Sequence, residues 1–171
     1  MTALDPGPSL GAALPHGPGA PSPADLSRLV RRLAAEQDLW RGAVRYDPDH
    51  RHYARVATGT GYEAWLLTWL PGQSTGLHDH GGSAGAFTVL RGALRELSPR
   101  ADGLRTRLRE RVLQTAAVRT FGPDHLHDVA ALDGPAVSLH LYGPALTTMT
   151  RYALVDGVLR VTAREGAGSD W

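Results

Sequence analysis

His78 and His80 stand two residues apart in the stretch Gly72-Gln-Ser-Thr-Gly-Leu-His78-Asp-His80-Gly-Gly-Ser-Ala-Gly85-Ala-Phe-Thr-Val-Leu-Arg-Gly92. On a β-strand, side chains at i and i+2 leave the same face, so both imidazoles can grip one metal ion while Asp79 faces the other way. This reading predicts a strand over Gly76–His80. The chain has no cysteine, which excludes thiolate zinc clusters, iron–sulfur centres, structural disulfides and a cysteine nucleophile together. A metal here is held by nitrogen or oxygen. The pool for a third imidazole is His125, His127 and His140, because His16 lies in an N-terminal arm and His50 and His52 precede the β-rich region.

Other residues could also do chemistry. Ser138, His140 and Tyr142 are spaced i, i+2, i+4, so on one strand they share a face and can form a hydrogen-bonded relay. Hydrolysis through Ser138 lacks support, since no Gly-x-Ser-x-Gly elbow surrounds it. Trp69 and Leu67 share a strand face and could line a pocket or simply fill a core. Arg51-His-Tyr53-Ala-Arg55 lies upstream of them. All 18 basic residues are arginine, so Schiff-base chemistry and a P-loop lysine are excluded. The formal net charge is +1, which gives no reason to expect a nucleic-acid partner. Arg105, Arg107, Arg109 and Arg111 alternate along one stretch, but no aromatic residues are interleaved for base stacking, so a solvated strand face is expected.

These residues need elements to position them. At 171 residues the chain fits one domain, expected over 24–171, after a Pro-, Gly- and Ala-rich arm over 1–23. Ser22-Pro23 reads as a helix start, and Leu26, Leu29, Val30, Leu33 and Ala34 follow as a core-facing stripe, with the helix ending near Leu39. From Tyr46 onward, turn signals separate short β-rich runs. Strands are expected over Trp65–Leu70, Ala86–Leu90, Ala93–Leu97, Thr106–Leu113, Ala117–Phe121, Val129–Leu132, Ala136–Tyr142, Thr148–Val155 and Val158–Ala163. Asp156-Gly157 is a type I′ hairpin turn between the last two. The fold class is mainly β, an antiparallel sandwich or barrel led by a helix. No apolar run approaches membrane-spanning length and no signal segment is visible, so a cytoplasmic location, no membrane partner and a monomer are expected.

The spacing Gly72, five residues, His78, one, His80, four, Gly85, six, Gly92 resembles the first motif of the cupin superfamily, with Gly85 in place of its glutamate. Phe121-Gly-Pro-Asp-His125-Leu-His127-Asp-Val129 resembles the second. With Ser138-Leu-His140-Leu-Tyr142 and Tyr53-Ala-Arg55, the chain from about Tyr53 to the C-terminal hairpin resembles the cysteine dioxygenase family, thiol dioxygenases built on a cupin antiparallel β-barrel of jelly-roll type. The resemblance implies ferrous iron, Fe(2+), on His78, His80 and His127, a Ser138–His140–Tyr142 relay beside it, and Arg55, with Tyr53, holding a substrate carboxylate. Mammalian members have a cysteine at the position of Gly85 that cross-links to the tyrosine matching Tyr142. That thioether cannot form here, so Tyr142 is a free phenol as in bacterial-type members. Ala131 stands where an asparagine often follows the second motif, and the span from His127 to Ser138 is shorter than in mammalian enzymes.

The implied activity is oxidation of L-cysteine by dioxygen to cysteine sulfinate. Most non-haem iron oxygenases use two histidines and one carboxylate. Three neutral imidazoles leave the ferrous charge uncompensated, which favours an anionic thiolate. The alternatives are a dioxygenase for 3-mercaptopropionate or another small thiol, and a non-enzymatic metal-binding sensor. Arginine at position 55 favours cysteine, since members preferring 3-mercaptopropionate tend to carry glutamine there.

Overall fold

The computed structural model describes residues 21–166, so the expected arm lies outside the described residues up to position 20. Helix α1, Pro23–Ala35, starts where Ser22-Pro23 predicts. The Ser22 hydroxyl accepts from the Asp25 amide at 3.2 Å, and the Asp25 carboxylate accepts from the Ser22 amide at 3.1 Å, a reciprocal cap on two otherwise unpaired donors. The helix stops at Ala35, short of Leu39, because Glu36 leaves helical geometry; a brief α2, Gln37–Trp40, follows. Leu26, Leu29, Val30 and Leu33 are buried, each contributing roughly 1.5–3 kcal/mol of transfer free energy.

Ten strands follow: β1 Tyr53–Gly59, β2 Tyr62–Trp69, β3 Ala84–Arg91, β4 Ala93–Asp102, β5 Arg105–Gln114, β6 Val118–Phe121, β7 Asp128–Ala131, β8 Ala136–Gly143, β9 Thr148–Val155 and β10 Val158–Gly166. One sheet has the order β1-β2-β8-β3-β6, another β5-β4-β7, and β9 and β10 form a hairpin. All pairings are antiparallel. Strand β1 was not expected. Its run Tyr-Ala-Arg-Val-Ala-Thr carries an arginine in mid-strand, and the ladder is irregular between Arg55 and Ala57. The Asp156-Gly157 turn is as expected, with φ of 51° and 80°.

The five-stranded sheet is buried on both faces. Its outer face packs under α1 through Ala64, Leu66, Ala86, Val137, Leu139 and Leu141. Its inner face turns Leu67, Trp69, Phe87 and Val89 toward Leu94, Leu113 and Val129 of the smaller sheet. Every residue of β8 is therefore buried, and Ser138, His140 and Tyr142 sit on its inner face. The Gly76–His80 stretch departs from expectation. It forms no strand but an extended segment tied by isolated bridges, His78 to His127 and His78 to Arg151. The glycines around it, Gly72, Gly76, Gly81 and Gly82, have positive φ, and such turns break a continuous ladder. The arginines of β5 are exposed, and so are Leu104, Leu108 and Val112, because β5 is an edge strand open on both faces.

Gly85 has a packing reason. A Cβ there would collide with the Phe121 ring and approach the Leu141 carbonyl to 3.0 Å. The phenyl ring occupies the volume that a larger side chain at this position would need. Replacing Gly85 by alanine is expected to cost about 1–3 kcal/mol through overpacking, with part of the loss recovered in the Gly85→Ala, Phe121→Leu pair. Urea unfolding checks this, and a Gly85→Ala chain as stable as the parent would mean that the ring does not fill that space.

Candidate metal centre and pocket

The site is assembled from two segments joined backbone to backbone. The His78 amide donates to the His127 carbonyl at 2.9 Å, and the His127 amide donates to the His78 carbonyl at 3.1 Å. Asp79 points away from the imidazoles, as its position predicts. Its carboxylate accepts from the amides of Gly81 and Thr150, each at 3.0 Å, and from the Tyr152 hydroxyl at 2.7 Å. The Asp79 amide and the Leu77 carbonyl pair with Thr150 and Tyr152 of β9. These bonds fix the loop to the hairpin and leave His78 and His80 aimed at the interior.

His78, His80 and His127 converge. Their ring centroids lie 4.9, 4.8 and 5.0 Å apart, and one nitrogen of each falls within 4.8 Å of the others. All are buried. Burial holds His78 and His80 well below the ordinary imidazole value, and repulsion among the rings adds to it. The imidazoles are thus neutral and offer lone pairs. His78 Nδ1 lies 2.9 Å from the Gly76 carbonyl, which can only accept, so Nε2 is the free donor atom. Neither nitrogen of His80 has a partner among the described residues. An unpartnered buried imidazole is costly, and a cation between the three rings removes that cost. The donor set fits a first-row divalent metal, iron included.

Glu96 reaches the same place from β4. It is 1% exposed, and Arg119 Nε lies 2.7 Å from its Oε2 while His125 Nε2 and His127 Nδ1 lie 3.1 and 3.0 Å from its Oε1. Burial alone would raise its carboxyl, but these three bonds outweigh that and hold it below the usual range. His125 therefore bonds the carboxylate instead of joining the triangle. Phe121 stacks on His80 at 4.6 Å between centroids.

The pocket beside the triangle is lined by Arg51, Tyr53, Trp65, Leu67, His78, His127, His140, Tyr142 and Met149 among others. Ser138 lies behind it, fully buried, with its hydroxyl 2.8 Å from His140 Nε2 and accepting from the Trp69 indole at 2.9 Å. Trp69 is thus a buried support for the relay rather than pocket wall; Leu67 does line the wall. The relay has one hydrogen-bonded link, Ser138 to His140. His140 and Tyr142 meet only as rings, 6.4 Å apart. Burial keeps His140 neutral and raises the Tyr142 phenol, so it stays protonated.

Arg51, and not the expected Arg55, lines the pocket. The Arg55 side chain is 53% exposed, sits over the Trp65 ring at 5.7 Å, and lies 3.8 Å from the Glu63 carboxylate. It is at the rim, outside the pocket lining. Arg51 is inside, over the Trp69 ring at 4.9 Å, and its Nε and Nη1 are buried with no partner among the described residues. Burial lowers its pKa to about 10, so it remains a cation at neutral pH. Arg51, Tyr53 and Arg55 share strand parity, so the pattern alone does not say which guanidinium enters. Glu96 was also missed; its signal is a carboxylate in step with Leu94 on an inward face.

Among solved structures, this fold is similar to a Klebsiella pneumoniae protein with a double-stranded β-helix domain, at 14% identity and a TM-score of 0.51, covering 72% of this chain and 93% of that one. Two others are the TT1209 protein of Thermus thermophilus, at 24% identity, a TM-score of 0.49, and 61% and 93% coverage, and a cupin-2 domain protein from Shewanella frigidimarina, at 14% identity, a TM-score of 0.48, and 60% and 88% coverage. The architecture is a double-stranded β-helix. A family model for cysteine dioxygenase type I matches residues 24–154, and the chain belongs to that family.

Proposed function

We propose that this chain is a ferrous-iron thiol dioxygenase acting on a small thiol that bears a carboxylate, with L-cysteine as substrate and cysteine sulfinate as product. The observation that carries this reading is Arg51. A buried guanidinium with unpartnered Nε and Nη1, in the same pocket as His78 and His127, calls for an anion. The thiol sulfur, within a few bonds of that carboxylate, is the group this pocket can present to the three imidazoles.

When bound, the iron supplies thiolate binding and dioxygen activation. His78, His80 and His127 would hold it, adding no charge of their own. Arg51, seated over the Trp69 ring, pairs with the carboxylate. Tyr142, kept protonated by burial and facing the Arg51 cation, donates a hydrogen bond to the substrate or to developing charge on oxygen. Ser138 and Trp69 lock the His140 ring, which stacks on Phe87 at 4.7 Å. Trp65, Leu67 and Met149 exclude water. The balance is thiolate plus one dioxygen to sulfinate, with sulfur losing four electrons and no further reductant consumed.

Cysteine and 3-mercaptopropionate carry sulfur and carboxylate at the same spacing, so Arg51 accepts both, and the position of Arg55 no longer separates them. The amine decides. We take cysteine from the family, and comparison of kcat/KM for the two thiols tests it; a strong preference for 3-mercaptopropionate contradicts cysteine.

Iron-loaded protein is expected to consume one dioxygen per cysteine, and zinc-loaded protein none. Oxygen-electrode traces with thiol quantification check this, and no uptake with iron would indicate a binding module. Arg51→Ala is expected to raise KM for cysteine by about 10²-fold, corresponding to loss of a charge-assisted pair of ~3 kcal/mol. Arg55→Ala is expected to change KM by less than about 3-fold. The reverse ranking in steady-state kinetics would return the carboxylate to Arg55.

A further inference from the structure

Strand β4 carries a carboxylate where its alternation leads to the core. Leu94 and Glu96 point inward together, at 0% and 1% exposure. An ion so deeply buried is costly unless fully bonded, and Glu96 is. Its Oε2 takes Arg119 Nε at 2.7 Å, and its Oε1 takes His125 Nε2 at 3.1 Å and His127 Nδ1 at 3.0 Å. Arg119 is itself anchored to the Thr120 carbonyl. Arg119 and His125 thus clamp the carboxylate alongside His127.

A carboxylate can only accept, so both imidazoles donate to Oε1. Nδ1 of His127 then carries the proton and Nε2 holds the lone pair. The three imidazoles are consequently unequal. His78 faces a backbone carbonyl at 2.9 Å, His80 has no partner among the described residues, and His127 faces an anion. A hydrogen bond to an anion makes an imidazole a stronger donor and fixes its ring orientation. The carboxylate that Gly85 withholds from the ligand set returns behind one ligand.

We propose that Glu96 is a positioning residue for the metal: through Nδ1 of His127 it sets that ring's tautomer and makes it the strongest of the three donors, with Arg119 and His125 holding Glu96 in place. This deepens the reading of the three histidines as metal ligands and is independent of which thiol is oxidised.

The test uses the full chain without thiol or dioxygen. In the metal-free parent protein, ¹⁵N–¹H correlation of the histidine rings at neutral pH is expected to show His127 protonated at Nδ1 and bare at Nε2. Equilibrium competition with a chromophoric chelator, for ferrous iron and for zinc, is expected to show Glu96→Gln binding each metal roughly 10–100-fold more weakly than the parent. Binding of both metals within about 2-fold of the parent, or a His127 protonated at Nε2, would overturn the proposal. The tautomer decides the matter if Glu96→Gln fails to fold by circular dichroism. Failure of dioxygenase activity alone would bear only on the function proposed above, since neither readout involves catalysis.

Discussion

The site depends on the reciprocal pair of backbone bonds between His78 and His127. Two segments far apart in sequence are held edge to edge by these bonds, at 2.9 and 3.1 Å, and the imidazoles they carry face each other because the backbones cannot slip. The rest of the fold secures this pair. The β9–β10 hairpin grips the first segment through Asp79, while β4 and β7 carry the second. Helix α1 buries the outer face of the larger sheet, so that its inner face can be given over to polar side chains without unravelling.

The space between the two sheets carries a heavy load of buried polarity. Ser138, His140, His78, His80, His127 and Glu96 are all buried, and each must be satisfied or left neutral. The structure does both. Glu96 is paired with three donors, Ser138 and His140 satisfy each other, and His78 is bonded to a carbonyl. His80 and Arg51 remain without partners for their inward nitrogens among the described residues. In a core that otherwise accounts for most of its polar atoms, these two gaps mark where a cation and an anion belong, side by side. The proposed metal ion and carboxylate-bearing thiolate would fill both.

Much of this was legible in the chain. The spacing of His78 and His80 between glycines, the parity of Ser138, His140 and Tyr142, and the stripe of α1 follow from periods of two and 3.6. What was not legible has physical causes. The metal loop reads as a strand because its residues alternate, yet positive-φ glycines on both sides break the ladder. Arg51 and Arg55 lie four residues apart along one extended run, so parity places both on the same face, and only the position of the pocket along β1 and the preceding residues decides which is enclosed. Glu96 lies on an arginine-rich strand pair where a carboxylate reads as a surface partner. Gly85 looked like the loss of a ligand; the Phe121 ring shows that the space was filled from β6, which also stacks against His80.

In the proposed reaction, iron held by the neutral imidazole triangle beside Arg51 would direct both atoms of one dioxygen to the thiol sulfur. The most direct measurement is mass spectrometry of the product formed from cysteine by the iron-loaded protein under ¹⁸O₂. The expected product is cysteine sulfinate with both sulfinate oxygens labelled. Disulfide alone, or a product with one oxygen from water, would contradict it.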